Sequence, residues 1–189
     1  MLSTNLTAYS DHAKIIQACE RVAERVSSID EFEHLWYDVA ANETVPDYDG
    51  NIVRGRKDVK LYYLPIYDPT AGLFEEKFKT VTDVLVNMTG VSKAHIVFIG
   101  PNSIVPKHID NDTVPAYNNS VSFNVYVGVN VPSNARITID GEEVIHTKHK
   151  AIIFDAQQPH SAINNTNEWW VSLLIYIDKD KFKNENINT

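Results

Sequence analysis

Cysteine is almost missing from this sequence: Cys19 stands alone among 189 residues. One thiol can neither close a disulfide within the chain nor build a thiolate metal cluster, so a reducing compartment is expected. Long apolar runs are missing as well; none approaches the roughly 18 residues of a membrane-spanning helix. The opening stretch from Met1 to Gln17 has no basic segment leading into an apolar one, so no signal peptide is expected there. Positive charge is in deficit: 17 Lys and Arg face 25 Asp and Glu, a formal net charge of −8. Without a basic stripe to neutralise phosphates, nucleic-acid binding is not the expected activity. The composition is otherwise that of an ordinary globular chain. These features predict one cytoplasmic domain over residues 1–189, meeting a small-molecule or peptide substrate and neither nucleic acid nor membrane.

What is present falls into two halves. Ile15, Ile16, Cys19, Val22 and Val26 recur at helical spacing. A second helix is expected from Ser28, carrying Phe32, Leu35 and Trp36, before a loop over 42–50. Residues 60–67 suit a strand, with Tyr62, Tyr63 and Tyr67 either lining a cleft mouth or packing in a core. Helical spacing returns through Leu73, Phe74, Phe78, Val81, Val84 and Leu85, with Gly90 as its C-terminal cap. Residues 1–90 thus read as a mostly helical flank.

From residue 91 to 178 the pattern is β, followed by a polar tail over 179–189. Along 121–131, Val121, Phe123, Val125, Val127, Val129 and Val131 alternate with polar residues, Tyr126 and Gly128. Further strands are expected at 94–99, 136–140, 142–147, 151–155 and 169–177, with Asp140-Gly141 as a hairpin turn. Many short strands with turns between them predict a mainly β jelly-roll or cupin-like barrel with flanking N-terminal α-helices. The Val and Phe face of the long strand must be buried, so the helices are expected to cover that sheet.

The chemistry concentrates in three residues. His108 and Asp110, two apart on a strand, point the same way. His160 follows a strand, Ile152–Phe154, and the turn residue Pro159. Two histidines and one carboxylate converging from separate strands make a facial triad, which leaves open positions on Fe(II). The other histidines lack this setting. His12 and His34 belong to the helical half, His146 and His149 sit in a charged hairpin return and are expected to be exposed, and His95 is expected to be buried.

Residues 94–178 resemble the aspartyl/asparaginyl β-hydroxylase-like branch of the Fe(II)/2-oxoglutarate oxygenases. The matching pieces are Gly100-Pro101-Asn102-Ser103, Pro106 to Asp110, Tyr126 to Pro132, Ile153 to Asp155, His160 with Asn164, and the strand Val171–Asp178. The resemblance implies a double-stranded β-helix, with Fe(II) on His108, Asp110 and His160, and 2-oxoglutarate and O2 as co-substrates for hydroxylation of a C–H bond. It also marks departures. The arginine that holds the remote carboxylate of 2-oxoglutarate falls at Trp170, and an arginine and a histidine of the long strand fall at Asn124 and Tyr126. A dianion in a barrel needs a cation or many donors. Arg136 is the expected substitute, with Ser122, Asn124, Tyr126 and Trp170 lining the same pocket. Trp170 is expected to face the interior and Trp169 to pack outward. Two alternatives remain: an iron oxygenase that does not use 2-oxoglutarate, and a non-catalytic cupin-like binding barrel.

Overall fold

Alternation along strand β7 (Ser122–Asn130) divides the molecule into two cores. Val125, Val127 and Val129 enter one, and Tyr126 enters the other. The computed structural model describes residues 12–25, 37–38, 44–46, 49–54, 59–64, 76–110 and 122–179. A six-stranded antiparallel sheet runs in the order β1 (Tyr37–Asp38), β4 (Val59–Leu64), β5 (Val91–Ile99), β12 (Trp170–Asp178), β7, β10 (Ala151–Asp155). A four-stranded sheet faces it in the order β6 (Ser103–His108), β11 (His160–Asn164), β8 (Ala135–Ile139), β9 (Glu142–Ile145). Successive strands from β5 to β12 alternate between the two sheets except at the β8–β9 hairpin, which is the winding of a double-stranded β-helix. A small hairpin, β2 (Thr44–Pro46) and β3 (Ile52–Arg54), stands apart.

The outer core lies where the valine face required it. Helix α1 (His12–Arg25) contributes Ile15, Ala18, Cys19 and Val22, and α2 (Glu76–Leu85) contributes Phe78, Val81, Val84 and Leu85. These side chains pack on Val125, Val127 and Val129 of β7 and on Leu173, Ile175 and Ile177 of β12. Trp169 packs against the same cluster. The inner core lies between the sheets and includes Val97, Ile99, Val105, Tyr126, Ile137, Ile139, Ile152, Phe154, Trp170 and Leu174.

Among the described residues of the first 90 stand α1, α2 and four strands; β4 falls where a strand was expected, and β2 falls within the expected 42–50 loop. Strands of two or three residues, β1 to β3, are too short to display a period. The helix expected from Ser28 lies outside the described residues, as do Tyr67 and the tail beyond Lys179. Gly90 does not cap α2, which ends five residues earlier; at φ 75° it turns the chain into β5.

One glycine shapes the closed end of the barrel. A Cβ on Gly128 would lie 2.5 Å from the Thr147 carbonyl oxygen and 2.4 Å from Val131 Cγ2. Only a bare backbone lets residues 146–150 lie against β7. There the Gly128 N–H donates to the Lys150 carbonyl (3.2 Å), and the His149 N–H donates to the Gly128 carbonyl (2.8 Å).

Candidate metal centre

The triad assembles at the open end of the four-stranded sheet. His108 ends β6 and His160 begins β11, and the two pair directly across the ladder. The inner-core residue Ile139 pairs with His160 on its other side, so both histidines face the interior. The turn between β10 and β11 is held by Asp155, whose carboxylate accepts from the Gln157 N–H (3.0 Å) and from Lys179 (2.6 Å). The segment after β6 is tied to that turn: the Asp110 N–H donates to the Ala156 carbonyl (3.1 Å) and the Gln157 amide donates to the Asp110 carbonyl (3.3 Å).

Both imidazoles are clamped by their own strands. His108 Nδ1 lies 2.7 Å from the Pro106 carbonyl and His160 Nδ1 lies 2.9 Å from the Gln158 carbonyl. A carbonyl only accepts, so each Nδ1 carries the proton and each Nε2 keeps a lone pair. Each Nε2 is 3.6 Å from the same atom, Asp110 Oδ1. The other carboxylate oxygen, Oδ2, accepts from Asn124 Nδ2 at 2.5 Å. With both imidazoles neutral, two ring lone pairs and Oδ1 face one another, an arrangement that a bound cation makes favourable. The three ligand atoms all lie within 4.8 Å of one another. Ligand atoms about 2.1 Å from a shared ion and at right angles sit about 3.0 Å apart, so small closures seat the ion. Donors of this type suit a borderline divalent ion, and carbonyls behind both imidazoles are the outer contacts such ligands require.

The electrostatics fit the same picture. Burial alone would push the Asp110 carboxyl up, but the His108 and His160 rings and the Asn124 amide outweigh it and hold it below the carboxylate range. The carboxylate is ionised and ready to ligate. Phe154 lies on the inner side of this group with its ring tilted against His160 at 4.9 Å, and the two histidine rings are 4.3 Å apart.

The expected co-substrate residues divide. Ser122, Asn124 and Tyr126 share the inner face of β7, all buried. Asn124 holds Asp110 rather than standing free to line a pocket. Trp170 faces the interior and is fully buried, with its ring 6.2 Å from Tyr126. Arg136 is not brought to the site. Ala135, Ile137 and Ile139 occupy the inner face of β8, so Arg136 points outward. There its guanidinium meets Glu143 (3.3 Å) and the Ser133 and Ala135 carbonyls.

Two further residues, Ser172 and Lys93, went unnoticed in the sequence, and His146 was misjudged. His146 is buried, not exposed, with its ring 5.2 Å from Tyr126 and 5.6 Å from Trp170. Burial lowers its pKa to about 4, opposed in part by the Lys150 and Tyr126 carbonyls. Ser172 sits two residues beyond Trp170 on the same face of β12, fully buried. Lys93, on the inner face of β5 opposite Tyr176, places its ammonium 4.8 Å from that ring. His95 is buried as expected; burial first and the Lys93 charge second lower its pKa to about 3, against the pull of Asp110. At the floor of the barrel Trp170 Nε1 is buried without a hydrogen-bond partner, while the Ser172 hydroxyl lies against the Tyr126 hydroxyl. An unpartnered buried atom costs about 1–3 kcal/mol.

The family profile described as aspartyl/asparaginyl beta-hydroxylase matches residues 15–179. The chain belongs to this family. The match takes in most of α1, all of α2 and every strand of the barrel, and so extends well beyond the segment that carries the sequence resemblance. His108, Asp110 and His160 form a group that could hold a metal ion. A comparison with curated proteins finds no match. Solved structures similar to this chain include the plu4264 protein of Photorhabdus luminescens, 18% identical, covering 80% of this chain and 94% of that one with a TM-score of 0.42. A cupin 2 conserved barrel domain protein from Salinispora arenicola is 12% identical, covering 79% and 100% with a TM-score of 0.41. A predicted oxalate decarboxylase from Thermotoga maritima is 16% identical, covering 64% and 80% with a TM-score of 0.40. Among the described residues no helix is long and apolar enough to cross a membrane.

Proposed function

We propose that the protein is a non-haem Fe(II) oxygenase that consumes 2-oxoglutarate and O2 and hydroxylates a C–H bond of an amino-acid, peptide or related small-molecule substrate. The observation that carries this reading is the convergence of His108 Nε2, His160 Nε2 and Asp110 Oδ1 on one point. Three ligands occupy one face of a six-coordinate ion and leave the other face for exchangeable partners. Bound there, Fe(II) supplies open positions for a chelating 2-oxo acid and O2, and with them the oxidising power for hydroxylation.

The chain's own residues bind and orient. His108 and His160 present their lone pairs because the Pro106 and Gln158 carbonyls take up the opposite ring protons. Asp110 turns Oδ1 to the centre because Asn124 engages Oδ2. With these atoms committed, none of the three acts as an acid or base. Phe154 and Tyr126 keep bulk water from the inner side of the site.

The test is anaerobic Fe(II) titration followed by aerobic turnover. The expected result is one bound iron, lost in Asp110→Ala, and succinate released from 2-oxoglutarate. Iron binding with O2 consumption but no succinate would favour the second reading, in which the substrate itself chelates the metal. That reading is motivated by fully buried Trp170 at the arginine position. A protein that takes up no Fe(II) would be a binding barrel only.

A further inference from the structure

Asp110 is the member of the triad that no strand holds. β6 ends at His108 and β11 begins at His160, so strand pairing sets both histidines. Asp110 stands just past the end of β6, where no ladder fixes the chain. Its backbone rests instead on the turn that leads into β11. Consecutive residues of that turn each make one contact with a triad residue. The Ala156 carbonyl accepts the Asp110 N–H at 3.1 Å, the Gln157 amide donates to the Asp110 carbonyl at 3.3 Å, and the Gln158 carbonyl accepts the His160 Nδ1 proton at 2.9 Å. Asp110 and His160, far apart in the chain, thus share one short template.

The template is itself tightly closed. The Gln158 N–H donates to the Asp155 carbonyl at 2.8 Å, the Gln157 N–H to the Asp155 carboxylate at 3.0 Å, and the Asp155 N–H to the Gln158 side-chain oxygen at 3.1 Å. Lys179 holds the same carboxylate at 2.6 Å, and the Ala156 N–H donates to the Ser122 carbonyl of β7 at 3.3 Å. Two of the template's contacts come from backbone carbonyls, which any residue supplies at those positions. The other comes from the Gln157 side chain, and there the residue type matters: an ionised carboxylate or a thioether has no proton to give. The Asp110 N–H belongs to the rigid peptide before its Cα, and the carbonyl to the rigid peptide after it. Tying both to one turn fixes φ and ψ together, and with them the direction in which the side chain leaves the backbone. Asn124 turns the carboxylate; Gln157 steadies the backbone from which it projects.

We propose that Gln157 is a positioning residue of the metal centre: through its bond to the Asp110 carbonyl it keeps Asp110 Oδ1 in register with His108 Nε2 and His160 Nε2, and it does so from the same turn that orients His160. This role rests on the iron-binding reading above and not on 2-oxoglutarate. Gln157 acts through Asp110, so its loss is felt only where Asp110 carries a ligating carboxylate. A side chain that merely tethered the turn would weaken metal binding through His160 as well, whether or not position 110 supplied a ligand.

The experiment is a double-variant cycle on the full chain, read by Ni(II) titration against a competing chelator. Ni(II) ranks above Fe(II) in affinity for such donors, which keeps the weaker variants measurable. Gln157→Met keeps the length of the side chain and removes the donor. It should raise the Kd about tenfold, the lower end for outer contacts of metal ligands, and Gln157→Ala should do the same. In the Asp110→Ala background, where two imidazoles remain, adding Gln157→Met should change the Kd by less than about twofold. This coupling to Asp110 is a readout that a purely structural role would not move. Thermal midpoints of the metal-free proteins check that each variant is folded. Wild-type Ni(II) affinity in both Gln157 variants overturns the proposal while the iron reading survives. An equal loss in the wild-type and Asp110→Ala backgrounds also overturns it, because Gln157 would then support the turn and not Asp110. A wild-type protein that takes up neither Ni(II) nor Fe(II) overturns the iron reading, and the role of Gln157 falls with it.

Discussion

Asn124 holds the metal centre from outside, and its removal gives a quantitative test. Its amide donates to Asp110 Oδ2, an ionised acceptor, in a partly buried setting. A hydrogen bond to a charged group is worth about 1.5–3 kcal/mol. Asn124→Ala removes it and leaves Oδ1 and Oδ2 free to exchange places, so the carboxylate is no longer aimed. Outer contacts of metal ligands change affinity by about 10–100-fold, which is about 1.4–2.7 kcal/mol. The two figures agree, so most of the bond's worth should appear in metal affinity. The assay is anaerobic Co(II) or Fe(II) titration against a competing chelator at pH 7.5, beside the unfolding midpoint of the metal-free protein. The expected outcome is a Kd raised about 10–100-fold with two imidazoles still bound. Asp110→Ala should lose far more. A metal Kd within about twofold of wild type in Asn124→Ala would refute the reasoning, because the contact would then play no part in aiming Asp110.

Other outcomes follow from the same geometry. Arg136→Ala should leave metal and 2-oxoglutarate affinity unchanged, since its half-exposed pair with Glu143 is worth about 0–1 kcal/mol at most; weakened binding would return Arg136 to the site. Metal-free protein should lose stability as pH falls below 6.5, because the unfolded chain protonates His95 and His146 while the folded chain holds them neutral down to about 3 and about 4. Stability thus rises with pH across that window, by an amount on the order of a few kcal/mol, and thermal midpoints that stay flat from pH 6.5 to 4.5 would contradict it. Gly128→Ala should cost about 1–3 kcal/mol, since its Cβ collides with the Thr147 carbonyl; an unchanged midpoint in thermal unfolding would show that residues 146–150 do not lie against β7.

Much of this was legible in the sequence, for physical reasons that differ by element. The strand β7 declared itself through strict alternation, and its valine face correctly demanded cover by the helices. The triad was legible only in part: the strand–Pro–His turn is specific, but β6 ends at His108, so Asp110 is not set by strand register as expected and is held instead by its N–H bond to the Ala156 carbonyl. The outward side of Arg136 was also legible and went unread: Ile137 and Ile139 bracket one face, and alternation assigns Arg136 to neither of them. His146 was hidden for a better reason. Its neighbours Thr147, Lys148, His149 and Lys150 are polar, so local pattern argues for exposure; its burial depends on Gly128, eighteen positions earlier in the chain, having no side chain. Strands β1 to β3 escaped because two or three residues cannot show a period.

The two clamped imidazoles and the one tethered carboxylate differ in how far their support reaches. Each histidine leans on a carbonyl two residues upstream in its own segment. Asp110 instead leans on Asn124, which belongs to the opposite sheet. An ion seated on the triad would therefore act as a rivet across the mouth, fastening β6 and β11 to each other directly and to β7 through Asp110 and Asn124. Its grip would be felt as mechanical closure of the barrel's rim: at a free concentration about a hundredfold above Kd it would add about 2.7 kcal/mol to the folded state, and this gain would be greatest where the two sheets would otherwise part first.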